Sequence, residues 1–187
     1  MEAPFFEGQK FNDLSQTPEK GEYMDCTFQN CDFNEGNLSG FQFINCHFIQ
    51  CNLCQVKMGK TSLQSVQFEQ CKMLGIHFEL CNNIALDMGF NDCNLSHSSF
   101  YQMKLKGIDF NRCKLEHCDF SEADLNQAVF NECDLINAQF DRCNLEKTDF
   151  RSARNFHVNP ANNRMKGAKF SLQGLPGLLL EYKLDIT

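Results

Sequence analysis

Large apolar side chains recur at every fifth position along most of this chain. One run comprises Tyr23, Phe28, Phe33, Leu38, Phe43, Phe48, Leu53, Met58, Leu63, Phe68, Met73 and Phe78. A second comprises Phe90, Leu95, Phe100, Leu105, Phe110, Leu115, Phe120, Leu125, Phe130, Leu135, Phe140, Leu145 and Phe150. A helix returns to one face after about 3.6 residues and a strand after about 2, so neither holds a five-residue period on one side. A chain that turns a corner every five residues does. Two positions before most of these centres sits a compact side chain, as at Cys26, Cys31, Cys46, Cys51, Cys71, Cys93, Cys113, Cys118, Ala123, Ala128, Cys133, Ala138, Cys143 and Thr148. The other three positions are mostly polar, so centre and small position share an interior.

This is the pattern A/C-D/N-L/F-x-x, clearest in Ala123-Asp124-Leu125-Asn126-Gln127. It resembles the pentapeptide-repeat proteins over nearly the whole chain. The resemblance implies an all-β solenoid, a right-handed quadrilateral β-helix with four repeats, about 20 residues, per coil. The second run tests that coil independently. Phe occupies 90, 110, 130 and 150 and again 100, 120 and 140, while Leu occupies 95, 115 and 135 and again 105, 125 and 145. Such a coil stacks Phe on Phe along two opposite walls and Leu on Leu along the other two, with a rise of about 4.8 Å per coil.

Phe78 and Phe90 are 12 apart, two residues more than two repeats. The register therefore slips within residues 79–89. A bulge or short loop there divides the solenoid into two parts of about three coils each, and serves either as a tolerated insertion or as a recognition loop. Solenoid ends need caps. Residues 1–22, with Phe5, Phe6 and Phe11, form the N-terminal one, and the repeats fill 23–156. Residues 157–187 then give a turn at Asn159-Pro160-Ala161-Asn162-Asn163, a short C-terminal α-helix and an alternating tail. Pro176 near the first helical position and Lys183 in the last turn punctuate that helix. Leu175, Leu178, Leu179, Leu180, Tyr182, Leu184 and Ile186 make it apolar on more than one side. One side caps the last coil; the other calls for a second copy, giving a tail-to-tail homodimer.

The apparent chemistry dissolves into the repeat. Eleven of the 12 cysteines fall at the inward small position, and only Cys54 does not. Cys51 and Cys54 form a C-x-x-C, but the repeat sends their side chains to opposite sides, against a redox or metal site. His97 and His117 share an outward position one coil apart, without a third ligand at Asn137. With neither a catalytic triad order nor a phosphate loop, an enzyme is not expected, nor any cofactor or metal. The start of the chain lacks the basic and apolar regions of a signal peptide, and no apolar run reaches membrane length. The expected location is cytoplasmic, where thiols stay reduced.

A net charge of -7 disfavours direct nucleic-acid binding and suits a basic partner. Between Phe90 and Phe150 eleven acids face six bases, so the expected binding surface is Asp109, Glu116, Asp119, Glu122, Asp124, Glu132, Asp134, Asp141, Glu146 and Asp149, with Asp92 beside them. The ending after Phe150 resembles that of the gyrase-protecting members, the quinolone-resistance (Qnr) group and the microcin immunity protein. That resemblance implies a dimeric acidic rod that imitates duplex DNA in a type II topoisomerase. A rod of roughly 30 Å would need about 18 charges to match DNA, so this chain imitates DNA in shape and in a patch. The alternative is a general interaction scaffold with an unrelated partner.

Overall fold

The structure, a computed structural model, describes residues 3–185. The chain winds as a four-walled parallel β-solenoid. Phe5–Glu7, Glu22–Met24, Gln42–Ile44 and Ser62–Gln64 pair along the first wall. Lys10–Asn12, Thr27–Gln29, His47–Ile49, Val66–Glu69, Met88–Asn91, Asp109–Asn111 and Val129–Asn131 pair along the second. Single bridges build the third wall, from Asp32 through Asn52, Lys72, Asn94, Lys114 and Asp134 to Arg154, and the fourth, from Asn37 to Lys57 and from His77 through Ser99 and Asp119 to Gln139.

Two local rules make the corners. The residue two places after a centre adopts a left-handed backbone, with φ of 53° at Asp25, 55° at Glu35, 51° at Arg112 and 55° at His117. Gly40, Gly75 and Gly107 take the same place. Left-handed backbone costs an L-residue roughly 1–2 kcal/mol and is worst for β-branched side chains. Accordingly no Val, Ile or Thr stands at these corners. On the third and fourth walls, and on the first wall after the break, a turn closes from the centre, as when the Ala123 N–H donates to the Phe120 carbonyl at 3.0 Å.

The interior follows the predicted stacking. Nine phenylalanines form one column on the second wall: Phe11, Phe28, Phe48, Phe68, Phe90, Phe110, Phe130, Phe150 and Phe170, with neighbouring ring centroids 4.7–5.4 Å apart. Phe78, Phe100, Phe120 and Phe140 stack opposite, at 4.7, 5.0 and 5.1 Å. The two columns meet edge to face, the favourable geometry for aromatic quadrupoles.

The small inward position has a bonding role as well. Cys113 and Cys133 donate their thiols to the carbonyls of Phe90 and Phe110, in the preceding coil, at 3.6 and 3.3 Å. Thr61 and Thr148 donate hydroxyls to the equivalent carbonyls of Leu38 and Leu125 at 2.7 Å. Cysteine is thus a small apolar side chain with a weak donor aimed at a carbonyl.

The break interrupts the first wall and, between Lys57 and His77, the bridge ladder of the fourth. Val66–Glu69 pairs directly with Met88–Asn91, and Phe68 stacks on Phe90 at 5.3 Å, so the second-wall sheet and the core run through it undivided. The two parts that the register slip sets off therefore share one continuous second-wall sheet. Phe78–Leu80 forms a 3-10 turn, Asn82 still bridges to Ser62, residues 83–86 then leave the first wall, and the Asp87 N–H returns to the Leu63 carbonyl at 2.9 Å. Cys81 sits at this defect and is only partly buried, unlike the ten cysteines inside the regular coils.

Both ends extend further than the centres alone suggested. Phe6 stacks on Tyr23 at 4.7 Å and Phe11 on Phe28 at 4.9 Å, so the N-terminal cap is itself half a coil. At the other end Arg164 bridges to Asn144 and Lys169 to Asp149, carrying the ladder past residue 156 to Phe170. The C-terminal helix is present but winds as 3-10, not α, over Leu172–Leu178 and Leu180–Tyr182. Ser171 caps it, Pro176 lies inside it, and Lys183 ends it at φ 48°. Gly and Pro are the poorest α-helix formers. Here Gly174 and Gly177 also lie so close to Phe156 that a Cβ would meet its ring at 2.8 Å. Leu184 and Asp185 form no strand. Ile186 lies outside the described residues.

Candidate functional site

The ten acids expected to form one binding surface are divided among four walls. Asp124 and Glu146 lie on the first, Asp109, Glu132 and Asp149 on the second, Glu116 and Asp134 on the third, and Asp119, Glu122 and Asp141 on the fourth. Half of them are engaged by arginine. Arg142 reaches Glu122 at 2.7 Å and Asp141 at 3.6 Å, Arg154 reaches Asp134 at 3.2 Å, Arg164 reaches Glu146 at 2.9 Å, and Arg151 reaches Asp149 at 2.7 Å. Asp92 is held by Arg112 at 2.8 Å. Arg112 beside Asp92, and Arg151 with Lys169 beside Asp149, hold those carboxyls below the usual range. Gln102 first and then Arg142 do the same for Glu122. Asp124 accepts from Asn144 at 2.7 Å.

Extending the solenoid to its actual end changes the charge as well. From Phe90 to Phe170 eleven acids meet eleven bases, because Arg151, Arg154, Arg164, Lys166 and Lys169 are added. The first wall of this half even carries a basic excess, with Lys104, Lys106, Lys147, Arg164 and Lys166 against Asp124 and Glu146. Residues 41–89 hold three acids and three bases. The negative charge is concentrated at the N-terminal end. Residues 3–40 contain Glu7, Asp13, Glu19, Glu22, Asp25, Asp32 and Glu35 against only Lys10 and Lys20. All but Glu22 of these acids are exposed. None takes part in an ion pair among the described residues.

The other exceptional surface is the C-terminal segment. Leu172, Leu175, Leu180, Tyr182 and Leu184 are exposed by 81, 42, 55, 62 and 57 %. Leu178 packs against the core and Leu179 is half-buried. One side therefore closes the last coil through Phe156 and Leu178, and the other presents a run of apolar side chains to solvent. A patch of this kind marks an interaction site.

Cysteine and histidine occupy the places the repeat assigns. Cys51 faces the interior and Cys54 the surface. The imidazoles of His97 and His117 stack at 4.9 Å, and Asn137 lies 3.4 Å from His117. No cluster of three or more His, Cys, Asp or Glu able to hold a metal occurs among the described residues. Burial pushes the Cys118 and Cys143 thiols up to about 12. Burial, aided by the charge of Glu79, does the same for Cys81. Cys54 is therefore expected to alkylate first in the folded protein, Cys81 slowly, and the other ten only on unfolding. Peptide mapping after iodoacetamide treatment checks this; labelling of Cys113 or Cys133 at the rate of Cys54 would contradict it.

A four-walled solenoid with a five-residue repeat, filled by aromatic columns, defines a class of right-handed β-helical rods. The chain belongs to the pentapeptide-repeat family: the profile for the pentapeptide repeat region matches residues 22–86, and that for pentapeptide repeats (8 copies) matches 93–131 and 118–154. Its fold is similar to that of a trypsin-treated form of QnrB1, a plasmid-mediated fluoroquinolone resistance protein, with 21% identity and a TM-score of 0.50 over 100% of this chain and 99% of that one. HetL, a pentapeptide repeat protein involved in heterocyst differentiation regulation from the cyanobacterium Nostoc sp. strain PCC 7120, matches at 15% identity and a TM-score of 0.35, covering 93% of this chain and 87% of that one. No curated protein sequence matches the chain significantly.

Proposed function

We propose that the protein is a non-enzymatic, protein-binding rod whose acidic N-terminal end engages a basic, nucleic-acid-binding surface, with type II topoisomerases as the partner class. The observation that carries this reading is the unpaired charge of residues 3–40, seven acids against two lysines. Two coils rise roughly 10 Å, over which duplex DNA carries about 6 charges. The net -5 of this end approaches that density, whereas the C-terminal half, with eleven acids against eleven bases, does not. The topoisomerase assignment draws on the resemblance of the ending after Phe150 to the gyrase-protecting members. Two copies joined through Leu172, Leu175, Leu180, Tyr182 and Leu184 set the two acidic ends at the extremities of the assembly.

Binding to gyrase is then expected to weaken with salt and to be competed by duplex DNA. Asp25→Lys with Glu35→Lys should reduce it at least about tenfold, since each neutralised or reversed contact removes a salt-dependent term. Asp109→Lys should leave it unchanged. Supercoiling and drug-stalled cleavage that ignore excess protein would remove the topoisomerase reading. The balanced charge of the C-terminal walls favours the alternative, a general scaffold, which predicts specific capture of another protein insensitive to the Asp25 and Glu35 changes.

A further inference from the structure

The break leaves the first wall with an open rung. In the regular coil that follows, the Asp124 N–H donates to the Met103 carbonyl at 2.9 Å, and the Asp124 and Asn126 carbonyls accept from Leu105 and Gly107 at 2.8 Å each. One coil earlier the equivalent groups are the Lys104 N–H and the carbonyls of Lys104 and Lys106. None of the three has a backbone partner among the described residues, because residues 83–86 have left the wall. Two clefts, of about 220 and 280 Å³, open along this edge, and Lys104 lines both. Within the larger one Glu79 is held on one side by His77 Nδ1 at 2.8 Å, while its Oε2 is buried without any hydrogen-bond partner. A buried acceptor in that state calls for a donor.

The surroundings are apolar where a regular repeat is polar. Tyr101 lines the larger cleft and is exposed by 37 %, and Leu80 and Ile84, next in the chain to its lining residues Glu79, Cys81 and Asn83, are exposed by 57 and 70 %. Lys104 and Lys106 bracket Leu105 on the outside and have no ion-pair partner among the described residues. Asp87 and Asp109 also line the smaller cleft, where Asp87 accepts from the Ser65 hydroxyl at 2.9 Å. Free main-chain donors and acceptors at strand spacing, with seats for alternate side chains, are what adds a strand to a sheet edge.

We propose that the break is a docking groove in which an extended, acidic peptide segment of a partner protein completes the missing rung beside Lys104 and Lys106. Its main chain pairs with the free groups of that edge, its carboxylates meet the two lysines, and its apolar side chains cover Leu80, Ile84 and Tyr101. This site is separate from the acidic end.

The test uses the full chain and three fluorescent heptapeptides: one alternating Glu and Val, one alternating Lys and Val, and the Glu/Val peptide with N-methylated amides. The Glu/Val peptide is expected to bind saturably and to slow exchange of the Lys104 amide proton at least about tenfold. The Lys/Val and N-methylated peptides should bind at least about tenfold more weakly, as should the Glu/Val peptide to Lys104→Glu with Lys106→Glu. Deleting Ile84 and Ala85, which restores the twenty-residue coil, should abolish binding while the far-ultraviolet spectrum is retained; Lys166→Glu should bind as the native chain does. No saturable binding of the Glu/Val peptide overturns the proposal. So does equal binding of the N-methylated form, or self-association that the Lys104 and Lys106 changes abolish, which would make a second copy the occupant.

Discussion

Replacing Phe130 by Ala is expected to lower the stability of the solenoid by about 3–5 kcal/mol, the usual cost of emptying a buried aromatic site. Phe130 is fully buried, stacked between Phe110 at 5.3 Å and Phe150 at 5.0 Å, and edge-on to Phe120 and Phe140 at 5.7 and 5.8 Å. The lumen is closed on four sides by backbone ladders, so its walls cannot collapse into the void as a helix could by tilting. Each coil also rests only on its neighbours, which makes the loss local and the transition less cooperative. Urea unfolding followed by circular dichroism measures this. A loss below about 1 kcal/mol would show that the aromatic column is not what stabilises the rod.

The second large effect concerns assembly. Leu172→Asp with Leu180→Asp is expected to convert a homodimer into monomers, weakening self-association at least about a hundredfold, because an unpaired carboxylate buried in an apolar interface costs several kcal/mol. Both side chains are exposed in the single chain, by 81 and 55 %, so the coils should fold and melt as before. Sedimentation equilibrium reads the outcome directly. A native chain that is already monomeric removes the dimer, and with it the placement of two acidic ends at opposite extremities.

Much of the architecture was legible in the residues because one local rule is repeated. A large apolar side chain every fifth residue and a small one two places earlier are enough to set four walls, the Phe and Leu columns and the inward thiols. The signals missed at the ends were of the same kind. Phe6 and Phe11 are five apart, and the gap from Phe11 to Tyr23 is 12, as it is from Phe78 to Phe90; Met165 and Phe170 lie twenty beyond Leu145 and Phe150. The left-handed corners were also readable, as a position two after each centre where no β-branched residue stands.

The surface was less legible, for a physical reason. Outward positions belong to different walls depending on the count around the coil, and an acid's effect depends on what lies one coil away. Asp134 and Glu146 look like free charges along the chain, yet Arg154 and Arg164 cover them through the ladder. Ending the count at Phe150 made that half acidic; the rungs at Arg164 and Lys169 make it neutral.

The sequence by itself determined the repeat, the solenoid and its filling, since these depend only on contacts within a coil and on identical residues meeting twenty positions apart. Only the tertiary structure decided where the charge is free, that the break interrupts two walls while the phenylalanine column passes through it, and that the last helix winds as 3-10 against Phe156. Those outcomes depend on which groups different coils bring together, and on space too tight for a Cβ at Gly174 and Gly177.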